Sequence, residues 1–554
     1  MPGRRQSAKS VRRRRKAGAT DRRARARNGN RQSTDAILAD LKHRLSEIYD
    51  LNAAGSLLGW DEATYMPMGG ATARGRQSAL LQRLAHERFV DPVLGKQIDR
   101  LEARVGDLAP TDVSLIRVVR RDYEKAVKVP AEYVARAFSH GSASYNAWIR
   151  ARPANDFAAM LPFLEKTLDL SREYASFFAP WDHIADPMID DADEGMTTAK
   201  VRRLFAELRR ELIPLVRTIC DQPPPDDAFL GRSFDEADQL AFSLSIAKEI
   251  GYDVRRGRLD QTRHPFCTKF AAGDVRITTR VRRDDIADAL FSTLHEAGHA
   301  LYEQGVSASF EGTPLGSGVS AGVHESQSRL WENVVARSRP FWQHYYPALQ
   351  RTFAEQLGSV PLDGFYRAIN KVTRSLIRTD ADEVTYNLHV MVRFDLELRL
   401  LEGPLRVKDL PEAWHAAMAA DVGVAPSDDR DGCLQDVHWY SGRIGGAFQS
   451  YAIGNILSAQ FFAAATQAHP DITSEIANGR FDTLRGWLTH NVYHHGRTLT
   501  PDEIVARAIG STMTTAPYLA YLRRKYGELY RVPLPATPSS GQPSSTQQKA
   551  ATKV

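Results

Sequence analysis

His295-Glu296-Ala297-Gly298-His299 has the residue types and spacing best suited to chemistry in this chain. On a helix, side chains four positions apart lie one turn apart on one face. Two imidazoles placed this way can bind one zinc-like ion, and the glutamate between them can hold an attacking water. That arrangement serves metal-assisted hydrolysis. The surrounding pattern strengthens it. At about 100° per residue, Ile286, Leu290, Leu294, Ala297 and Leu301 fall within an arc of roughly 80°. His295 and His299 fall roughly 180° and 220° from Ile286 on the same wheel. The apolar stripe can pack on a core while the histidines face a cleft. Asp284 or Asp285 can cap the helix.

A catalytic zinc needs a third protein ligand and an open position. An HxxGxxH continuation would supply a third histidine, but Tyr302 stands at the glycine position and Gly305 at the histidine position. That arrangement is excluded. Glu303, one turn beyond His299, would crowd a single helix side. A glutamate from a second helix has better geometry. His324-Glu325-Ser326-Gln327 follows the Gly/Ser-rich stretch Gly312–Gly322, which lets a second helix return beside the first. Glu325 is the expected third ligand.

The elements that must position these groups read as helical. Ile37, Leu41, Leu45 and Ile48 recur at helical spacing, with Thr34 and Asp35 as available caps. Leu164 and Leu168, with Pro162 suited to a first turn, mark another helix, and Leu204, Leu208 and Leu212 a third. Strand signals are scarce. The best is Val275-Arg276-Ile277-Thr278-Thr279. The chain has 554 residues, 43% hydrophobic and 25% charged, ordinary for a globular protein. No run of 18 apolar residues suggests a transmembrane helix, and no apolar segment after the first arginines suggests a secretory signal. Three dispersed cysteines, Cys220, Cys267 and Cys433, exclude a disulfide framework and a cysteine-built zinc site. A reducing, cytoplasmic compartment is expected.

The net charge of +6 is unevenly spread. Residues 1–32 hold 13 Lys and Arg against one acid, leaving 60 basic and 66 acidic side chains in the remainder. Residues 1–33 read as a basic disordered tail, residues 34–531 as one catalytic unit, and residues 532–554 as a polar disordered tail. The acidic body makes nucleic acid an improbable partner except through the basic tail, and no membrane partner is expected.

Five blocks occur in order: Asp274-Val275-Arg276-Ile277-Thr278, the HExxH, His324-Glu325-Ser326-Gln327, Ile377-Arg378-Thr379-Asp380-Ala381-Asp382, and Gly432-Cys433-Leu434-Gln435-Asp436-Val437-His438-Trp439. Together they resemble the signatures of the M32 metallocarboxypeptidases of the carboxypeptidase Taq type. Gly59-Trp60-Asp61 and Lys525-Tyr526-Gly527 extend the likeness over about residues 34–531. The resemblance implies a mostly α, large helical zincin-type fold similar to neurolysin and angiotensin-converting enzyme, with a deep groove and a small β element near the site. It implies a homodimer that removes C-terminal residues from peptides with broad specificity, using Zn2+, for which Co2+ can substitute. Carried over by motif, His295, His299 and Glu325 are the metal ligands and Glu296 the general base. Arg276 and Arg378 lie near the substrate's terminal carboxylate, and His438 and Gln435 in the block for substrate and transition-state contacts. The alternative is a zinc oligopeptidase or endopeptidase with the same metal site.

Overall fold

The computed structural model describes the backbone of residues 5–533 and the side chains of residues 34–533. The expected disordered tails fall almost wholly outside the described side chains. The first helix, Arg5–Thr64, runs through Thr34 rather than starting there. Its Leu38, Leu41, Leu45 and Ile48 are buried against Leu94, Ile98 and Leu101 of the helix Pro92–Glu102 and against Leu115 and Val119 of the helix Pro110–Lys128. This small apolar cluster also takes in Leu315, from the Gly/Ser-rich stretch ahead of the second site helix.

A second, much larger core holds the rest together. Leu164 and Leu168 enter it from Phe157–Ser176, a helix capped by Asp156, whose carboxylate accepts the Ala159 N–H. Pro162 therefore sits beyond the first turn, not in it. Leu208 and Leu212 are buried from the helix Thr198–Cys220, and Leu204 packs at their margin.

Only three short strands interrupt the helices among the described residues. β1 is Leu259–Gln261, β2 is Cys267–Ala271 and β3 is Asp274–Thr279. The order is β1-β3-β2, with β1 parallel and β2 antiparallel to β3. The alternation from Val275 to Thr279 revealed β3; β1 and β2 are too short and mixed for a periodic signal.

The sheet packs on the helix Ile286–Gly305, which carries the two histidines. Asp285 is its cap, accepting from the Ala287 and Asp288 N–H groups. Ile286, Leu290, Leu294, Ala297 and Leu301 are all buried. Burying a Leu or Ile side chain contributes about 1.5–3 kcal/mol over leaving it exposed, so this stripe fixes the helix's rotation and with it the direction of His295 and His299.

Candidate metal centre and substrate site

The second site helix, Ala321–Arg329, begins at Ser320, whose hydroxyl accepts the Val323 N–H. It lies between the HExxH helix and the helix Gln449–Ala468. Two glycines allow this approach. A Cβ on Gly298 would meet the Gln327 carbonyl oxygen at 2.6 Å, and one on Gly454 would meet Glu325 Cγ at 2.4 Å. Asp193 adds a polar anchor, accepting from the Gly322 N–H at 2.7 Å and the Ser450 hydroxyl at 2.6 Å.

The result brings the three expected ligands together. Glu325 Oε2 lies 3.6 Å from His295 Nε2 and 3.4 Å from His299 Nε2. One donor atom from each of the three residues falls within 4.8 Å of the others. Two atoms bound tetrahedrally to one ion at about 2.0–2.1 Å would be about 3.3–3.4 Å apart, so the donor set fits a divalent metal of the zinc class. Both histidines have their other ring nitrogen engaged. His295 Nδ1 lies 2.8 Å from Glu332 Oε2, and His299 Nδ1 lies 2.5 Å from His324 Nδ1. Arg329 reaches Glu325 Oε1 at 2.7 Å and Glu332 Oε2 at 3.2 Å.

Glu303, the ligand rejected on spacing, is committed elsewhere. It takes His324 Nε2 at 2.9 Å, the Gly318 N–H at 3.0 Å and Lys269 Nζ at 3.1 Å. His324 and Lys269 hold its carboxyl down to about 2 despite burial. Glu296 is buried, at 6% exposure, and burial pushes its carboxyl up to about 7 against the pull of His295. A bound cation beside it would pull that value down again.

A second cluster forms around Asp436. Its carboxylate receives Arg378 Nε at 2.6 Å and Arg393 Nε at 2.9 Å, and His438 Nδ1 lies 2.5 Å from its other oxygen. The two guanidinium groups hold its carboxyl well below the usual carboxylate range despite burial. His438 Nε2 lies 3.0 Å from the Tyr451 hydroxyl. Burial raises the Tyr451 hydroxyl and keeps it protonated; Glu325 is within electrostatic reach. Gln435 is spent on the chain itself. Its oxygen accepts from the Arg378 N–H and from Arg393, and its nitrogen donates to the Leu376 and Asp431 carbonyls. It orders Arg378 and Arg393, with no donor left over for a ligand. Arg276 stands apart from this cluster. It forms a two-point pair with Asp274, both contacts 2.8 Å, and lies over the rings of Trp60 at 4.3 Å and Phe270 at 4.9 Å.

Sequence reading missed Glu332, Arg329, Arg393, Tyr386, Tyr451 and His264. Glu332 carried a faint signal, seven residues after Glu325 and so on the same helical face. His264 keeps an exposed edge, and partial desolvation together with the charges of Arg378 and His438 lowers its imidazole. Burial pushes the Cys267 and Cys433 thiols up, so neither is a ready nucleophile. No described helix is long and apolar enough to cross a membrane.

A sequence model of the carboxypeptidase Taq (M32) metallopeptidases matches residues 40–526. Thermostable carboxypeptidase 1 of Thermus thermophilus is 40% identical over 492 residues, covering 87% of this chain and 96% of that protein. Carboxypeptidase 1 of Bacillus subtilis is 34% identical over 488 residues, covering 88% and 97%. The crystal structure of an M32 carboxypeptidase from Deinococcus radiodurans R1 superposes with a TM-score of 0.88 at 53% identity, over 90% of this chain and 100% of that one. The helical fold, the small sheet and the histidine–glutamate cluster thus sit in a chain that belongs to the carboxypeptidase Taq (M32) metallopeptidase family and is a metallocarboxypeptidase.

Proposed function

We propose that the protein removes C-terminal residues from peptides with broad side-chain preference, using zinc, or cobalt in its place, held by His295, His299 and Glu325. The observation that carries this is the pair of 3.4 and 3.6 Å separations between Glu325 and the two imidazoles. When bound, the metal supplies Lewis-acid polarisation of the scissile carbonyl and acidifies a water. Glu296 takes the proton of the attacking water on its carboxylate and passes it to the leaving amine. Tyr451 supplies a neutral donor toward the developing oxyanion by turning its hydroxyl away from His438, whose ring Asp436 orients behind it.

Recognition of a free terminal carboxylate is assigned to Arg378, with Arg276 as the second candidate. Charge supports Arg378. Two arginines, 378 and 393, share the single carboxylate of Asp436, which leaves one positive charge for a substrate to match. Arg276 is already matched by Asp274. We further assign the enzyme to the cytoplasm, for which free cysteines are suited, and to a homodimeric state.

Mass spectrometry of a peptide series, with and without a chelator, tests the reading. Stepwise loss of C-terminal residues that stops with chelator supports it. Equal cleavage of free-acid and C-terminally amidated peptides, at internal bonds, overturns it in favour of an oligopeptidase.

A further inference from the structure

The Ala321–Arg329 helix does not end as an α-helix. It passes directly into a π-helical stretch, Leu330–Ala336. A π turn closes i→i+5 bonds, inserting a residue into the turn and re-aiming the side chains beyond it; such segments recur at functional sites. Here the segment contains Glu332, which meets His295 Nδ1 at 2.8 Å. The widened ladder is supported from outside, since the Asn333 carbonyl accepts the Tyr521 hydroxyl at 3.1 Å.

Arg329 is the last residue of the α-helical part and faces both carboxylates. Its Nε donates to Glu325 and its Nη1 to Glu332. Its guanidinium lies 4.3 Å from the Tyr386 ring centre, which limits its movement. Arg337 flanks the other Glu332 oxygen at 3.7 Å. Glu325 and Glu332 are like charges brought close on one segment. Without a cation between them they would repel.

We propose that Arg329 and Glu332 form a brace that sets the metal affinity of the site. Arg329 ties the ligand carboxylate of Glu325 to Glu332, and Glu332 in turn fixes the ring orientation and tautomer of His295. Two of the three ligands are thereby held on one rigid unit, with the π segment supplying the register. Both are positioning residues, neither touching the reacting atoms. The inference rests on the ligand set proposed above. It adds that affinity depends on groups one step behind the ligands, whose loss in other metal sites costs about 10- to 100-fold.

The test is zinc affinity of the full chain by competition with a chromophoric chelator, with the visible spectrum of the cobalt-loaded protein as second readout. Arg329→Lys keeps the charge and loses the fork; Glu332→Gln keeps the shape and loses the charge. Each is expected to fold, to weaken zinc binding by about 10- to 100-fold and to shift the cobalt bands. The double variant is expected to lose less than the product of the two, since both act through one network. Folded variants that bind zinc within about twofold of the parent overturn the brace, on the same scale. So does a lowered melting temperature of the chelated protein with unchanged affinity. Should Arg329→Lys fail to fold, Glu332→Gln decides alone. A His295→Ala variant that retains stoichiometric zinc overturns the ligand set itself, which is a different failure.

Discussion

Arg378 and Asp436 form a buried two-point pair, Nε to Oδ2 at 2.6 Å and Nη2 to Oδ1 at 3.4 Å. The arginine assigned to the substrate carboxylate already holds one from its own chain. Its Nη1 also donates to the Tyr386 hydroxyl at 2.8 Å. Of the five N–H groups of a guanidinium, two remain. The side chain is therefore fixed before substrate arrives, and little rotamer entropy is lost on binding.

Arg378→Ala is expected to lower kcat/KM on free-acid peptides by roughly 10- to 150-fold, the equivalent of about 1.5–3 kcal/mol for a hydrogen bond to a charged group. Amidated peptides, cut poorly from the start, should change little. Asp436 would keep Arg393 and His438, so the fold should survive. Arg378→Lys should rescue only partly, because a point charge lacks the fork. The parallel Arg276→Ala variant separates the two candidates. If its main effect is on melting temperature, Arg276 is a structural partner of Asp274 and Trp60.

Glu296→Gln keeps the side chain's shape and removes its basicity. Zinc content should stay stoichiometric while kcat falls by at least about 100-fold, the lower range for a general acid–base group. Near-normal turnover with metal bound would remove Glu296 from the proton path.

The third ligand is tested by two carboxylates. Glu325→Ala should lose the metal. Glu303→Gln should retain it, since Glu303 is engaged by His324, Lys269 and the Gly318 N–H. Metal analysis after dialysis distinguishes them, and the reverse result exchanges their roles.

Sequence periodicity carried the HExxH helix because one stripe of five apolar residues had to be buried and the histidines lay opposite it. The place of Glu325 beside the two histidines was legible because a Gly/Ser-rich loop announces a chain reversal. The Asp436 cluster was not. Arg378, Arg393 and Asp436 are brought together by tertiary packing of segments more than forty residues apart, and no local period encodes that. Gln435 and Arg276 show the same limit. Their motifs mark them as important, but only geometry reveals that Gln435 spends its polar atoms on two arginines and two carbonyls. The π segment is also silent in the sequence, since the residues from Leu330 to Ala336 would serve an ordinary α-helix equally well.

Glu397 gives a pH prediction away from the metal. It is 1% exposed; one oxygen accepts from Trp439 Nε1 at 2.8 Å and the other has no partner. Burial pushes its carboxyl up to about 7, against about 4.3 unfolded. Between those values the folded chain keeps a proton that the unfolded chain releases, so stability falls as pH rises through that window. Below it there is no penalty, and above it the penalty is constant at about 4 kcal/mol. Glu397→Gln keeps the Trp439 bond and cannot ionise. Its melting temperature should match the parent near pH 4 and exceed it increasingly from pH 5 to 8. Parallel profiles would show that Glu397 is not a buried acid in solution.

Tyr386 joins the two halves of the site. Arg329, which grips the ligand Glu325, lies 4.3 Å from the centre of its ring, and its hydroxyl accepts from Arg378. The ring thus helps fix how far the proposed metal ligands stand from Arg378, the arginine proposed for the substrate carboxylate, a separation that would set the cut one residue from the end. Tyr386→Phe keeps the ring and removes only the hydroxyl. Zinc affinity should be unchanged, because the contact with Arg329 remains. Arg378 would lose one of three tethers. KM for free-acid peptides should then rise by about 3- to 10-fold, part of the about 1.5–3 kcal/mol of a hydrogen bond to a charged group, with kcat less affected. Tyr386→Leu removes the ring as well and should weaken zinc binding in addition. If Tyr386→Phe lowers zinc affinity as much as Tyr386→Leu does, the hydroxyl rather than the ring supports the metal half, and the two halves are not joined in this way.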